Sequence, residues 1–166
     1  MFVHVDPIVK TLHWNHEDQT MAFAQGLAQH LLASDSFHTL YIELQGPLGS
    51  GKTTLVRHLL RALGVEGRIK SPTYAVLETY NPKDFSIFHF DFYRLTDPRE
   101  WEDAGFRDVF GGAGLKLAEW PEQAAGLLPT ADLTLSLRTL DQEIREVELT
   151  AATPKGQELY KLWHPQ

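Results

Sequence analysis

Cysteine is absent from the 166 residues. No disulfide therefore braces the fold, and no thiolate serves as nucleophile or metal ligand. That absence fits a cytoplasmic protein. No uninterrupted apolar run approaches the roughly 20 residues of a membrane helix. No basic stretch followed by an apolar one opens the chain, so a secretory signal is not expected. No internal repeat is visible. Basic residues are the scarcer sign, 15 Lys and Arg against 22 Asp and Glu, for a formal charge of -7. Binding a phosphate backbone needs concentrated Lys and Arg, so this balance argues against a large nonspecific nucleic-acid surface. It leaves room for RNA held mainly by a partner protein, and for a nucleotide gripped by backbone amides and one lysine. The remainder is ordinary. With 43% hydrophobic and 22% charged residues, the composition is that of a globular protein. A chain of this length buries about 70% of its unfolded surface. One domain over residues 1–166 is expected.

Periodicity predicts the elements. A short edge strand is expected within Met1 to His13. Met21, Ala24, Leu27, Ala28, Leu31 and Leu32 recur at helical spacing, predicting a helix from Glu17 to Leu32. Gly26 inside it costs about 1 kcal/mol of propensity and marks a candidate close contact. Thr39 to Leu44 alternates as a strand, and Thr53 to Leu63 reads as a helix stopped by Gly64. Pro72 rules out helix around Ser71. Tyr74 to Tyr80 and Phe85 to Tyr93 read as strands joined by the turn Asn81-Pro82-Lys83-Asp84. Pro98 to Asp103 is a short helix, Phe110 to Gly114 a loop, and Leu115 to Ala118 a buried strand running into Glu119. Leu133, Leu135 and Leu137, then Ile144, Val147 and Leu149, predict an antiparallel pair turning at Leu140-Asp141-Gln142. Thr153-Pro154 has the chemistry of a helix start. The order implies an α/β fold with a central mixed parallel and antiparallel sheet flanked by helices.

The strongest local signal is Gly46-Pro47-Leu48-Gly49-Ser50-Gly51-Lys52-Thr53, between a predicted strand and a predicted helix. A triphosphate packs several negative charges into a small volume. Backbone amides in a concave loop grip its oxygens without side-chain bulk, and glycines allow the positive φ and close approach this demands. Gly46, Gly49 and Gly51 suit that task, with Leu48, Ser50 and Thr54 completing the cradle. Lys52 reaches the β- and γ-phosphates and the Thr53 hydroxyl is a magnesium ligand. Pro47 has no N–H to donate. The expected ligands are ATP or ADP with Mg²⁺. Asn81-Pro82-Lys83-Asp84 only imitates a guanine-recognition motif, which favours adenine by elimination.

Such a loop needs an acid at the end of a neighbouring strand to hold the magnesium or one of its waters. Glu119 and Asp91 are the candidates, and spacing does not decide which touches the metal. A solvated strand end and a turn cap are the plainer alternatives. Thr73 is a candidate γ-phosphate sensor or magnesium ligand, or it simply closes a turn around Pro72. Trp120 either covers the nucleotide or meets a partner, or it belongs to the core. His89, two residues before Asp91, shares its strand face and orients it or is structural. Arg94 neutralises phosphate or forms a surface pair. His13 and His16 near Glu17 form no zinc pattern. Phe92, Tyr93 and Trp101 are candidate partner-facing aromatics.

The chain resembles the TsaE family of P-loop ATPases from the bacterial threonylcarbamoyl-adenosine tRNA modification pathway. The resemblance is carried by His16-Glu17-Asp18-Gln19-Thr20, Gly46 to Thr54, Ser71-Pro72-Thr73-Tyr74, His89-Phe90-Asp91-Phe92-Tyr93-Arg94-Leu95 and Glu119-Trp120-Pro121-Glu122. It implies a P-loop NTPase fold and weak, partner-activated ATP hydrolysis. Lys52 and Thr53 would hold phosphate and magnesium, Glu119 would be the Walker B-like acid, Thr73 part of a nucleotide-sensing switch, and Asp91 and Trp120 tied to hydrolysis or complex function. The implied partners are TsaD, which modifies adenosine 37 of tRNA, and its relative TsaB, with tRNA reached through that complex. Pro47 replaces an acid common in the family loop. Two other readings compete. One is a small-molecule kinase using Asp91 and Arg94 on its acceptor, and the other a nucleotide-gated binding module without useful turnover.

Overall fold

The computed structural model describes residues 4–141 and 143–166. Seven strands form one sheet: β1 (Ile8–Trp14), β2 (Tyr41–Gln45), β3 (Leu77–Tyr80), β4 (Ile87–Asp91), β5 (Leu115–Glu119), β6 (Leu133–Asp141) and β7 (Ile144–Ala151). Their spatial order is β1-β7-β6-β2-β5-β4-β3. The central pairs β6/β2, β2/β5 and β5/β4 are parallel. The flanking pairs β1/β7, β7/β6 and β3/β4 are antiparallel. This is the expected mixed α/β sheet. β5, flanked on both sides, is buried along its whole length.

Side-chain alternation divides the sheet into two faces. Ile42 and Leu44 of β2, Leu115 and Leu117 of β5, and Leu133, Leu135 and Leu137 of β6 point to one face. Three helices cover it: α1 (Glu17–Ala33), α2 (Lys52–Ala62) and α5 (Pro154–Trp163). α1 starts where the side chain of Gln19 accepts a hydrogen bond from the His16 amide at 3.3 Å. The other face is aromatic. Phe90, Phe92, Trp101 and Phe106 pack there with Tyr41, beneath α3 (Pro98–Asp103) and α4 (Phe106–Gly111). Phe92 and Trp101 are thus core residues, at 0% and 1% exposure, and not partner-facing.

Three expected boundaries shift. The strand foreseen from Tyr74 begins only at Leu77. The Val76 amide donates to the Pro72 carbonyl at 2.7 Å and Val76 takes φ 69°, so the chain coils over Asp91 before it extends. The strand foreseen to Tyr93 ends at Asp91, whose carboxylate accepts from the Tyr93 amide at 3.0 Å and turns the chain. Helix α4 runs to Gly111, inside the expected loop, because Phe106 and Phe110 bring a helical stripe onto the aromatic core. Of the foreseen turn Leu140-Asp141-Gln142, Gln142 lies outside the described residues, as does the start of Met1 to His13. Asp141 pairs with Ile144.

Gly26 is a close contact as its position suggested: a Cβ there would lie 2.9 Å from Nε1 of Trp163 on α5. Gly156 is stricter. Thr153 caps α5, accepting from the Gly156 amide at 3.0 Å and donating to Asp132 at 2.6 Å, and this pulls the helix onto the Asp132 backbone. A Cβ on Gly156 would sit 2.1 Å from the Asp132 carbonyl oxygen. Helix propensity alone makes Gly156→Ala stabilising by about 1 kcal/mol. The backbone clash outweighs it, since overpacking costs about 1–3 kcal/mol and a carbonyl cannot rotate away as a side chain can. Chemical denaturation is expected to show a lower midpoint for Gly156→Ala with an unchanged slope.

Candidate functional site

Three of the four central parallel strands, β2, β4 and β5, deliver their carboxyl ends to one edge of the sheet, where α/β folds form their crevices. β2 ends at Gln45 and passes directly into Gly46 to Gly51, from which α2 departs. β4 ends on Asp91 and β5 on Glu119, and these two acids are partners across the β4/β5 ladder. Both project to the α2 side, as do Ile87 four residues before Asp91 and Leu117 two residues before Glu119.

The loop has the conformation its glycines permit: φ is 143° at Gly46, 80° at Gly49 and 104° at Gly51. Gly46 is the most constrained, because a Cβ there would meet the Leu137 carbonyl oxygen of β6 at 2.4 Å. Ser50 is buried, and its Oγ has no hydrogen-bond partner among the described residues. Lys52 curls under the loop. Its Nζ donates to the carbonyls of Gly46 and Pro47 and lies 3.9 Å from the ring centroid of Trp120. Burial pulls its ammonium below the ordinary lysine value, while the charges of Glu119, Glu122 and Asp91 act in the opposite direction.

The Thr53 hydroxyl donates to Oε1 of Glu119 at 3.1 Å, and Oε2 of the same carboxylate is 2.6 Å from Nε2 of His89. Thr73 donates to Asp91 at 3.3 Å and shares a 2.8 Å hydrogen bond with Ser71. Burial pushes the Asp91 carboxyl up from its ordinary value; the Tyr93 amide opposes this, neighbouring Glu119 adds to it, and the Thr73 hydroxyl again opposes. Trp120 is half-buried at φ 56°, its ring centroid 5.0 Å from that of Tyr93. It is therefore not a fully buried core residue.

Pro47 to Thr54 line one cleft together with Thr73, Asp91, Glu119 and Trp120. Gly46 is not among the lining residues, and its carbonyl accepts from Lys52. The structure therefore brings the loop residues Leu48 to Thr54 together with Thr73, Asp91, Glu119 and Trp120 in one place. Two lining residues were not foreseen as site residues, Tyr93 and Arg145. Arg145 comes from β7, its Nη2 donating to the Gly49 carbonyl at 3.5 Å. No sequence signal marks it, because only the strand order carries β7 to the loop. A second cleft adjoins on the far side of the loop, sharing Ser50, Gly51, Thr54 and Arg145 and walled by Trp14 and Glu143. Arg94 instead stacks on the exposed ring of Tyr74 at 4.4 Å and is not among the residues lining the cleft. His89 touches Glu119 and not the expected Asp91.

The donor set suits a hard cation bound together with phosphate. Among the described residues there is no group of three or more His, Cys, Asp or Glu side chains able to hold a metal. One hydroxyl and two carboxylates are what magnesium ordinarily takes from a protein when phosphates and waters supply the rest.

Known proteins share this architecture. The family model described as "Threonylcarbamoyl adenosine biosynthesis protein TsaE" matches residues 14–147. The chain is 40% identical over 143 residues to the tRNA threonylcarbamoyladenosine biosynthesis protein TsaE of Haemophilus influenzae, covering 86% of this chain and 90% of that one. It is 31% identical over 145 residues to the protein of the same name from Bacillus subtilis, covering 86% and 87%. Among solved structures it is similar to a crystal structure of Bacillus subtilis YdiB, with a TM-score of 0.72 and 26% identity over 95% of this chain and 96% of that one.

Gly46→Ala tests the loop geometry without any ligand. It combines a left-handed φ with contact against backbone. A loss of about 2 kcal/mol or more in unfolding free energy is expected, whereas Gly49→Ala, with nothing within 4 Å of its Cβ, is expected to lose less.

Proposed function

The chain belongs to the TsaE family, and on that premise we propose that it is the ATP-hydrolysing component of the machinery that makes N6-threonylcarbamoyladenosine at position 37 of tRNA. In this reading it supports turnover of a TsaD–TsaB transferase pair and reaches tRNA through that complex. The observation that carries it is the meeting of Lys52, Thr53 and Glu119 at the mouth of a left-handed glycine loop, with Asp91 beside them.

The amides from Leu48 to Thr54 form the phosphate cradle, and the Ser50 hydroxyl is a further polar group within it. The Lys52 ammonium now rests on two carbonyls and on the Trp120 ring, and it supplies the positive charge for the β- and γ-phosphates. Thr53 and Glu119 would hold Mg²⁺, which when bound neutralises charge on the phosphate oxygens. Asp91 is the residue that orients water. Its raised proton affinity makes it a better proton acceptor than a solvated carboxylate, although a modest one. Thr73, tethered to Asp91, couples the state of the cleft to the coil from Pro72 to Val76. The adjoining cleft beside Thr54 offers a place for the nucleoside half. The kinase reading draws little support, because Arg94 is engaged with Tyr74.

The test is phosphate release from Mg-ATP by the purified protein, alone and with its cognate TsaD–TsaB pair. A partner-dependent rise is expected. Lys52→Ala and Glu119→Ala should each lower it about 100-fold or more, the scale of losing one preorganised electrostatic contact. ATP binding with partner assembly and no hydrolysis under any condition would replace this reading with a nucleotide-gated binding module.

A further inference from the structure

The His89 side chain is 2% exposed and sits in the middle of β4, between Ile87 and Asp91 on the same strand face. An apolar residue would fill that core position without an electrostatic penalty. Histidine makes one polar contact there, the 2.6 Å bond from Nε2 to Oε2 of Glu119, whose own side chain is 3% exposed. Its second nitrogen, Nδ1, is buried with no partner among the described residues. A buried polar atom left unpaired costs about 1–3 kcal/mol. The ring is therefore not placed there for its own stability. An ionised carboxylate only accepts, so the hydrogen bond requires the proton on Nε2. A neutral ring then leaves Nδ1 as an unpaired acceptor, which is less costly than an unpaired N–H.

The consequence falls on Glu119. Its carboxylate is held at both oxygens, Oε1 by the Thr53 hydroxyl and Oε2 by His89. Thr53 is exposed and belongs to the loop side of the cleft, while His89 is anchored in the sheet through the β4/β5 ladder, opposite Leu117. Of the two contacts, the histidine is the fixed one. The geometry points to His89 as a positioning residue that holds the Glu119 carboxylate toward Thr53 and thereby sets the magnesium affinity of the nucleotide site. This inference rests on the Mg-nucleotide reading of the cleft. Partners of this kind, one step behind the ligating group, are worth about 10- to 100-fold in metal affinity.

Calorimetric titration of ADP into the full chain, in EDTA and at a series of free Mg²⁺ concentrations, tests it without any turnover. Wild type is expected to bind ADP more tightly as Mg²⁺ rises. His89→Leu should shift the half-maximal Mg²⁺ concentration upward by about 10-fold or more, with ADP affinity in EDTA unchanged within about 2-fold. His89→Gln, whose amide reaches as a donor, should restore most of that shift. In a Glu119→Gln background His89→Leu should add little, because the two act as a unit. If His89→Leu loses cooperative thermal unfolding, His89→Asn, too short to reach Oε2, carries the same expectation. A wild-type chain whose ADP affinity ignores Mg²⁺ overturns the underlying reading and this inference with it. A wild type that responds, beside a folded His89 variant that responds equally or loses as much in the Glu119→Gln background, overturns this inference alone.

Discussion

The parallel pairing of β4 with β5 is the constraint on which the site depends. Asp91 and Glu119 are ladder partners, and Glu119 is in turn the partner of Leu44, just before the glycine loop leaves β2. Two acids and a phosphate loop thus reach the same edge by register alone. A slip of one residue would turn the slipped strand over, taking His89 and Asp91 of β4, or Glu119 of β5, to the aromatic face. The apolar alternation beneath them prevents that slip, since Ile87, Leu115 and Leu117 would leave the helical core at the same time.

Electrostatics at this edge are balanced by proximity. Asp91 and Glu119 lie close enough for each charge to oppose the other, and both are largely removed from water. Lys52 and the amide ends of α2 offset part of that cost, and hydrogen bonds from Thr53, Thr73, His89 and the Tyr93 amide offset more. No carboxylate oxygen of the pair is left without a donor. The polar groups that are underused lie on the loop side: the Ser50 hydroxyl without a partner, and the Lys52 ammonium bonded to carbonyls.

Much of this was legible in the residues. The glycine loop, its lysine and threonine, and the acid ending β5 were readable because each is local, a motif between a strand and a helix. Helix Pro98–Asp103 was readable too, and the structure shows it starting on its proline with Asp97 as cap. Three features resisted. The segment from Tyr74 to Val76 looks like strand because its residues favour extension, yet it is decided by a hydrogen bond from Val76 to Pro72 and by the need to pass over Asp91. Trp120 follows a strand and takes a left-handed conformation that no β propensity announces. Arg145 reaches the loop only because β7 and β6 intervene between β1 and β2, an order that no local signal encodes.

That strand order also bears on how the molecule is made. β1 pairs with β7 along its full length, Ile8 opposite Ala151 and Trp14 opposite Arg145, so its partner is supplied by the far end of the chain. During synthesis the first strand must wait for nearly all the rest. The phosphate loop and α2 emerge far earlier, as does β2. The closure of the β1–β7–β6 side is a long-range step of the kind that slows folding, and until it occurs β1 and β2 present open edges to neighbouring chains. Newly made chains are therefore most vulnerable to aggregation on this side of the sheet, the side away from the paired acids.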